Sequence, residues 1–215
     1  MGRAICVMGE SGSGKTTSMR NLPPEKTVYI DCDGKGLAWK GWRNSYNAER
    51  HNYLRNSNKE DIIKYLAAID TRKEYAHVEY VVIDTINGIM VDDEMERMKE
   101  KNYDKWIDLA MAVYGIILYA LKSRDNLTIM FLAHTQTERD ESGYAFTRVK
   151  TSGKKLDKIV LESKFPVVLH AKNSGGRYVF EVHANNSTAK TPMGAFEQME
   201  VDNDIMEVLK VLSEY

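Results

Sequence analysis

The chain has 215 residues, of which 43% are hydrophobic and 28% charged, and its net charge is −1 at pH 7. This composition excludes collagen-like, low-complexity and disordered chains, and any nucleic-acid contact must come from a local basic patch. No apolar run is long enough to span a bilayer, and the first ten residues lack a signal peptide's apolar stretch. The sequence therefore predicts a cytoplasmic protein with no membrane association and a single domain over residues 1–215.

Short β-branched or aromatic runs alternate with amphipathic stretches, which predicts an α/β fold with a mostly parallel central sheet flanked by helices. The candidate central strands are Arg3–Met8, Thr27–Asp31, Tyr80–Asp84 and Thr128–Ala133. The candidate helices are Lys15–Asn21, Lys59–Thr71, Gly88–Lys99, Trp106–Leu121, Lys154–Glu162 and Ile205–Ser213, the last capped by Asp204. Asn173-Ser174-Gly175-Gly176 separates two β-rich runs and predicts an antiparallel hairpin of Phe165–Ala171 and Arg177–His183 on the C-terminal side.

The two cysteines and one predicted helix are expected to contribute to the core. Cys6 and Cys32 lie in apolar runs without metal-ligand spacing, which favours reduced core thiols over a disulfide. The helix Trp106–Leu121 is predicted to bury one apolar face. That face consists of Ile107, Met111, Tyr114, Leu118 and Leu121.

The strongest motif is G-x-x-x-x-G-K-[ST] at residues 9–16, directly after a predicted strand and before a predicted helix. Its glycines allow the backbone to curl so that successive N–H groups point toward an anion. Lys15 is predicted to contact the β- and γ-phosphates, and the Thr16 hydroxyl to ligate Mg²⁺. The predicted nucleotide-binding residues are Gly9, Glu10, Ser11, Gly12, Ser13, Gly14, Lys15, Thr16 and Thr17.

Carboxylates end two of the predicted strands. Asp84 ends the run Tyr80-Val81-Val82-Ile83-Asp84, which has the pattern of a Walker B strand whose carboxylate holds the metal. Asp31 and Asp33 lie at the end of the strand after the phosphate loop. A carboxylate there either orients or deprotonates the attacking water, or has no role beyond capping the strand end.

Five motifs carry a family resemblance: GESGSGKTT at 9–17, VYIDCDG at 28–34, YVVIDTINGI at 80–89, TIMFLAHTQ at 128–136 and TSGKKLDKIVLESKFPVVLHA at 151–171. In order and spacing they resemble the RecA-like recombinase core, and more closely the small phage-encoded RecA-like proteins of the single-strand annealing group. The resemblance implies a minimal RecA-like P-loop ATPase that uses ATP and Mg²⁺ and binds single-stranded DNA in recombination or annealing. It also implies a homo-oligomeric ring or filament, located in the host cytoplasm if the protein is phage-encoded, with a single-strand-binding protein as a candidate partner.

The resemblance assigns further roles. It places the water-activating carboxylate on Asp33, where recombinases usually have the longer Glu, and the γ-phosphate sensor on His134 or Gln136, where they usually have Gln. It makes Thr137–Gly153 a mobile DNA-binding loop, although an ordinary solvated loop has the same composition. The candidate DNA contacts are Tyr144, Phe146, Arg148, Lys150, Lys154 and Lys155. Lys190 is a candidate for reaching a neighbouring subunit's γ-phosphate, in competition with Lys154 and Lys155.

Two other classes of protein fit the same motifs. A small-molecule or nucleoside kinase would need a second substrate pocket and an arginine lid, for which Arg139 and Arg148 are available. A nucleotide-gated scaffold would bind ATP without turnover, and the short Asp33 side chain is the hint for it. Phosphate release without an added acceptor distinguishes the ATPase from both.

Overall fold

A computed structural model describes residues 3–100, 104–139, 141–151 and 160–215. Its strands are β1 (Arg3–Gly9), β2 (Thr27–Asp31), β3 (Tyr53–Arg55), β4 (Tyr80–Asp84), β5 (Thr128–Arg139), β6 (Ala145–Val149), β7 (Val167–Ser174), β8 (Arg177–Glu181) and β9 (Glu200–Asp202). Its α-helices are α1 (Trp42–Ser45), α2 (Lys59–Thr71), α3 (Ile86–Glu96), α4 (Asp104–Lys122) and α5 (Ile205–Leu212). None of the helices in these ranges has both the length and the apolar character needed to cross a membrane.

The central sheet has the strand order β3-β2-β4-β5-β1-β7-β8-β9. The six strands from β3 to β7 run parallel, and β8 and β9 extend the sheet with antiparallel pairing. Gly175 and Gly176 form the turn between β7 and β8, each with positive φ, as a two-residue hairpin turn requires. The predicted α/β class, with a mostly parallel sheet and an antiparallel extension, is confirmed.

Side chains alternate between two apolar layers, one on each face of the sheet. Along β1, Cys6 packs with α2, α3 and α4, whereas Val7 packs on the opposite face with α5. Both faces are therefore covered, which explains why the central strands are continuous apolar runs. Cys6 and Cys32 are buried free thiols, and Asp204 caps α5 by accepting a hydrogen bond from Met206 N at 3.0 Å.

The predicted helix Lys15–Asn21 is wrong. The chain forms one short 3₁₀ turn, Thr17–Met19, instead. The Ser18 hydroxyl donates to the Lys15 carbonyl at 2.6 Å and so occupies an acceptor of the helical ladder. Two prolines, Pro23 and Pro24, follow directly after Leu22, and the residue before a proline is disfavoured in the helical region.

The predicted buried face of the helix Trp106–Leu121 is also wrong at the residues that can be compared; the side chain of Ile107 lies outside the described part of the chain. Met111 is 67% exposed, and Tyr114 and Leu118 are only partly buried. The residues that face the core are Leu109, Val113, Ile116, Ile117 and Ala120. Because α4 is apolar around most of its circumference, its periodicity does not decide which stripe meets the sheet.

The predicted loop Thr137–Gly153 is mostly a β-hairpin. β5 continues through Arg139, and β6 pairs with it antiparallel from Thr135 opposite Val149 to Arg139 opposite Ala145. β-Branched and aromatic residues in both arms favour this extended pairing. Residues 140 and 152–159 lie outside the described residues, and so does most of the predicted helix Lys154–Glu162, whose last two residues belong to a 3₁₀ turn at Leu161–Lys164.

Candidate nucleotide site

The phosphate loop follows β1 at the carboxyl edge of the parallel sheet. Gly12 and Gly14 have φ of 78° and 93°, a conformation that glycine adopts without strain. At Gly9, a Cβ atom would lie 2.6 Å from the Ala171 carbonyl oxygen, so only glycine allows the loop to pack against β7. The loop borders a cavity of about 580 Å³, which is large enough for a nucleotide.

Lys15 is held inside this loop. Its Nζ donates to the carbonyl oxygens of Gly9 and Glu10, each at 2.8 Å. Burial lowers the pKa of Lys15 to about 8, although the Asp84 carboxylate acts in the opposite direction. Among the described residues the Lys15 ammonium group bonds carbonyl oxygens and no carboxylate. A phosphate oxygen of a bound nucleotide would supply its anionic partner.

This pKa predicts a pH dependence of nucleotide binding. The nucleotide-free protein loses the Lys15 proton as the pH rises through about 8, and a triphosphate binds the protonated form better. We therefore expect ATP affinity to fall above pH 8, by up to about tenfold per pH unit, in calorimetric titrations between about pH 7 and pH 9.5. A Lys15→Arg variant that retains binding provides the control, because arginine stays protonated. Wild-type affinity that is constant across this range contradicts the prediction.

Thr16 and Asp84 come together as the predicted metal ligands. Thr16 Oγ1 donates to Asp84 Oδ2 at 2.8 Å, and Tyr29 Oη donates to the same oxygen at 2.5 Å. Burial raises the pKa of Asp84, and these two hydrogen bonds oppose that rise. Sequence reasoning missed Tyr29 because a tyrosine within an apolar strand reads as core.

The hydroxyl oxygen of Thr16 and the carboxylate oxygen of Asp84 fit Mg²⁺, which prefers oxygen ligands. In P-loop sites the phosphates of the nucleotide supply further oxygen ligands. The described ranges contain no cluster of three or more His, Cys, Asp or Glu side chains that could hold a metal ion. Thr16 and Asp84 would therefore hold Mg²⁺ together with the nucleotide, and Mg²⁺ would supply charge neutralisation at the phosphates.

We expect Tyr29→Phe to weaken this arrangement. The substitution removes a buried hydrogen bond to Asp84 and lowers the free energy of unfolding by about 1 to 3 kcal/mol, measurable by urea denaturation. It also raises the Mg²⁺ concentration needed for half-maximal nucleotide binding, because the carboxylate is less well oriented. Tyr80→Phe, at the opposite end of β4, is the matched control. Equal effects of the two variants would contradict the role of Tyr29.

Asp33 and Asp31 have different surroundings. Asp33 Oδ1 accepts from the Thr85 hydroxyl at 3.0 Å, and Asp33 Oδ2 lies 2.7 Å from Lys35 Nζ. Lys35 and Thr85 both line the cavity. Asp31 is 4% exposed, and its Oδ2 accepts from Gly36 N and the Tyr53 hydroxyl. Asp31 therefore stabilises the loop that follows β2, whereas Asp33 lies next to residues that form the cavity wall.

The two sensor candidates also separate. His134 lines the cavity, and burial and the Lys15 charge lower its pKa, which favours the neutral imidazole. Gln136 lies two residues further along β5, and its Nε2 donates to Glu138 Oε1 at 2.7 Å. Asn87, which sequence reasoning missed, accepts from His134 N at 2.7 Å and donates to the Lys150 carbonyl at 2.8 Å.

The candidate DNA contacts differ in how exposed they are to solvent. Tyr144 and Lys150 are exposed and Phe146 is partly buried. The Arg148 side chain is 6% exposed, and its Nη1 lies 3.4 Å from Glu138 Oε2. Lys154 and Lys155 lie outside the described residues.

Lys190 is placed away from the nucleotide cavity of its own chain. Its backbone forms an antiparallel bridge with Val168, which pairs with Cys6 in the middle of β1. The residues lining the cavity are Ser11, Gly12, Gly14, Lys15, Thr16, Thr17, Arg20, Lys35, Ala38, Asp84, Thr85, His134, Tyr178, Asp202 and Asn203. A role for Lys190 at a phosphate would therefore require a second subunit.

The phosphate loop after β1 and the buried carboxylate at the end of β4 lie at the carboxyl edge of one parallel sheet, and β5 lies between these two strands. This arrangement defines a P-loop nucleoside triphosphatase. The chain belongs to the AAA domain family, whose model matches residues 1–193. The comparison with curated proteins gives no match. Membership in this family indicates that the chain binds a nucleotide and belongs to the ATPase class.

Proposed function

We propose that this protein is a RecA-like, Mg²⁺-dependent ATPase that binds single-stranded DNA as a homo-oligomer and acts in recombination or single-strand annealing. One observation carries the DNA part of the proposal. β5 runs from His134 at the nucleotide cavity directly into the β5–β6 hairpin, which presents the exposed Tyr144 and Lys150. An exposed aromatic ring at the turn of the hairpin and an exposed cation at its base suit stacking on bases and contact with phosphates.

The proposed reaction is in-line hydrolysis. A water oxygen attacks the γ-phosphorus, the bond from that phosphorus to the bridging oxygen breaks, and ADP leaves. Asp33 accepts the proton of the water, and Lys15 contacts the oxygens on which charge develops. The neutral His134 imidazole forms a hydrogen bond to the γ-phosphate, so the presence of that phosphate affects the position of β5.

Three hydrogen bonds connect the cavity to the hairpin. Lys150 N donates to the His134 carbonyl at 2.7 Å, closing the base of the hairpin next to the cavity. Asn87 joins the same two residues from α3. A shift of His134 toward a γ-phosphate would therefore move the base of the hairpin, and this links the ATP state to the DNA-binding surface.

The test is Mg²⁺-dependent phosphate release with and without single-stranded DNA. We expect DNA to stimulate release by the wild-type protein, and Lys150→Glu to lower that stimulation. Lys122→Glu, an equal charge change at the exposed end of α4, is the matched control and should leave the stimulation intact. Turnover that DNA does not change contradicts the DNA part of the proposal, and absence of turnover favours the nucleotide-gated scaffold.

A further inference from the structure

The cavity extends beyond the phosphate loop to residues from the C-terminal part of the chain. Tyr178 of β8, Asp202 of β9 and the adjoining Asn203 line it together with Thr17 and Arg20. Lys15, Asp84 and His134 line the same cavity. Tyr178 and Asn203 lie against Gly14 of the phosphate loop, so this wall is within reach of the nucleoside of a triphosphate seated on the loop.

Asn203 carries an unused hydrogen-bond donor at this wall. The residue is 6% exposed, and its Nδ2 has no hydrogen-bond partner among the described residues. Buried polar groups are nearly always paired, and this amide has no partner although its residue lines a cavity. Because Nδ2 itself is covered, the amide must turn toward the cavity to donate to an acceptor on a ligand. Purine bases carry such acceptors on their edges.

Tyr178 supplies an aromatic surface at the same place. Its ring borders the phosphate loop, since a Cβ atom on Gly14 would lie 2.9 Å from Tyr178 Cδ1. The residue is 47% exposed, so its ring offers open surface at the cavity. A base stacked on the ring would cover that surface.

Hydrogen bonds fix this wall to the phosphate loop. Arg20 Nη1 donates to the Asn203 carbonyl at 2.8 Å and to the Thr17 carbonyl at 3.1 Å. Asn203 N donates to the Tyr178 carbonyl at 3.3 Å. The wall is therefore held in place before a ligand arrives, which lowers the entropic cost of binding.

We propose that Tyr178, Asp202 and Asn203 form a purine nucleobase subsite, in which the base stacks on Tyr178 and bonds the Asn203 amide and the Asp202 carboxylate. The proposal rests on nucleotide binding as in the proposed function, but it requires neither hydrolysis nor DNA. Cytosine offers an acceptor and an amino group as adenine and guanine do, so the larger stacking surface of a purine on Tyr178 is what favours it over CTP. The experiment distinguishes adenine from guanine.

The test measures dissociation constants of ATP, GTP, CTP and inorganic tripolyphosphate by calorimetry with Mg²⁺. We expect wild-type protein to bind a purine nucleotide more tightly than CTP or tripolyphosphate. Tyr178→Ala should weaken purine nucleotide binding about tenfold to hundredfold and leave tripolyphosphate binding unchanged. Tyr178→Phe, which keeps the ring, and Tyr215→Ala, which removes an exposed tyrosine elsewhere, should both resemble wild type.

Three results would overturn the subsite. They are wild-type affinity for ATP and GTP no higher than for tripolyphosphate, unchanged purine affinity in Tyr178→Ala, and equal weakening of purine nucleotide and tripolyphosphate in that variant. Absence of ATP hydrolysis or of DNA stimulation would contradict the proposed function but leave the subsite standing. The ratio of ATP to GTP affinity identifies the base.

Discussion

Lys15→Ala is expected to abolish ATP turnover. The ammonium group is the cation of the phosphate loop, and its two carbonyl partners, Gly9 and Glu10, hold it at the cavity. Alanine removes the charge that contacts the γ-phosphate as negative charge develops in the transition state. Phosphate release by the purified variant should fall to the level of a blank without protein.

The matched control for this loss is Lys26→Ala. Lys26 is exposed and forms an ion pair with Glu79 at 2.8 Å, far from the cavity, so turnover should stay near wild type. Circular dichroism of both variants checks that each is folded. Residual Mg²⁺-dependent turnover in Lys15→Ala above the blank would show that the hydrolysis arises elsewhere, in the chain or in a contaminant.

Asp33→Asn is expected to lower turnover by about 10²- to 10⁴-fold, the usual range for loss of a general base. The amide keeps the size of the side chain and can still accept from Thr85, but it cannot take a proton from water. Because the phosphate loop is unchanged, ATP affinity should stay within a few-fold of wild type. Single-turnover phosphate release and calorimetric binding together separate the two effects.

Asp31→Asn is the control two positions away. Its carboxylate accepts hydrogen bonds from Gly36 N and Tyr53 Oη, so the variant should lose stability before it loses turnover. An Asp33→Asn protein with a normal rate would remove Asp33 from the mechanism. If Asp31→Asn instead shows the larger loss in rate, the catalytic carboxylate is Asp31.

Local patterns predicted most of the sheet. Two central strands, Thr27–Asp31 and Tyr80–Asp84, and the helix Lys59–Thr71 have the predicted bounds, because each is a continuous apolar run or a regular amphipathic repeat between clear ends. The errors lie where a tertiary contact or a side-chain hydrogen bond decides the structure. Ser18 and the Pro-Pro pair shorten the turn after the phosphate loop, and pairing with β6 extends β5 beyond the end of its apolar run.

The residues of the site likewise differ in whether they could be predicted from the sequence. The phosphate loop and Asp84 could be recognised from sequence, because their chemistry depends on a short contiguous motif. Tyr29, Asn87 and Asn203 could not, because the fold brings each of them to residues that are distant in the chain. Tyr29 bonds Asp84, Asn87 bonds His134 and Lys150, and the Asn203 side chain lies beside Gly14. Tyr29 and Asp84, for example, are 55 positions apart in the chain.

The position of β1 in the sheet makes the nucleotide site depend on long-range pairing. The neighbours of β1 are β5 and β7, which begin at Thr128 and Val167. The strand that leads into the phosphate loop is therefore held in the sheet by residues far along the chain. Such long-range parallel pairing is slow to form, so we expect the ability to bind a nucleotide to appear late in refolding, when the central sheet closes.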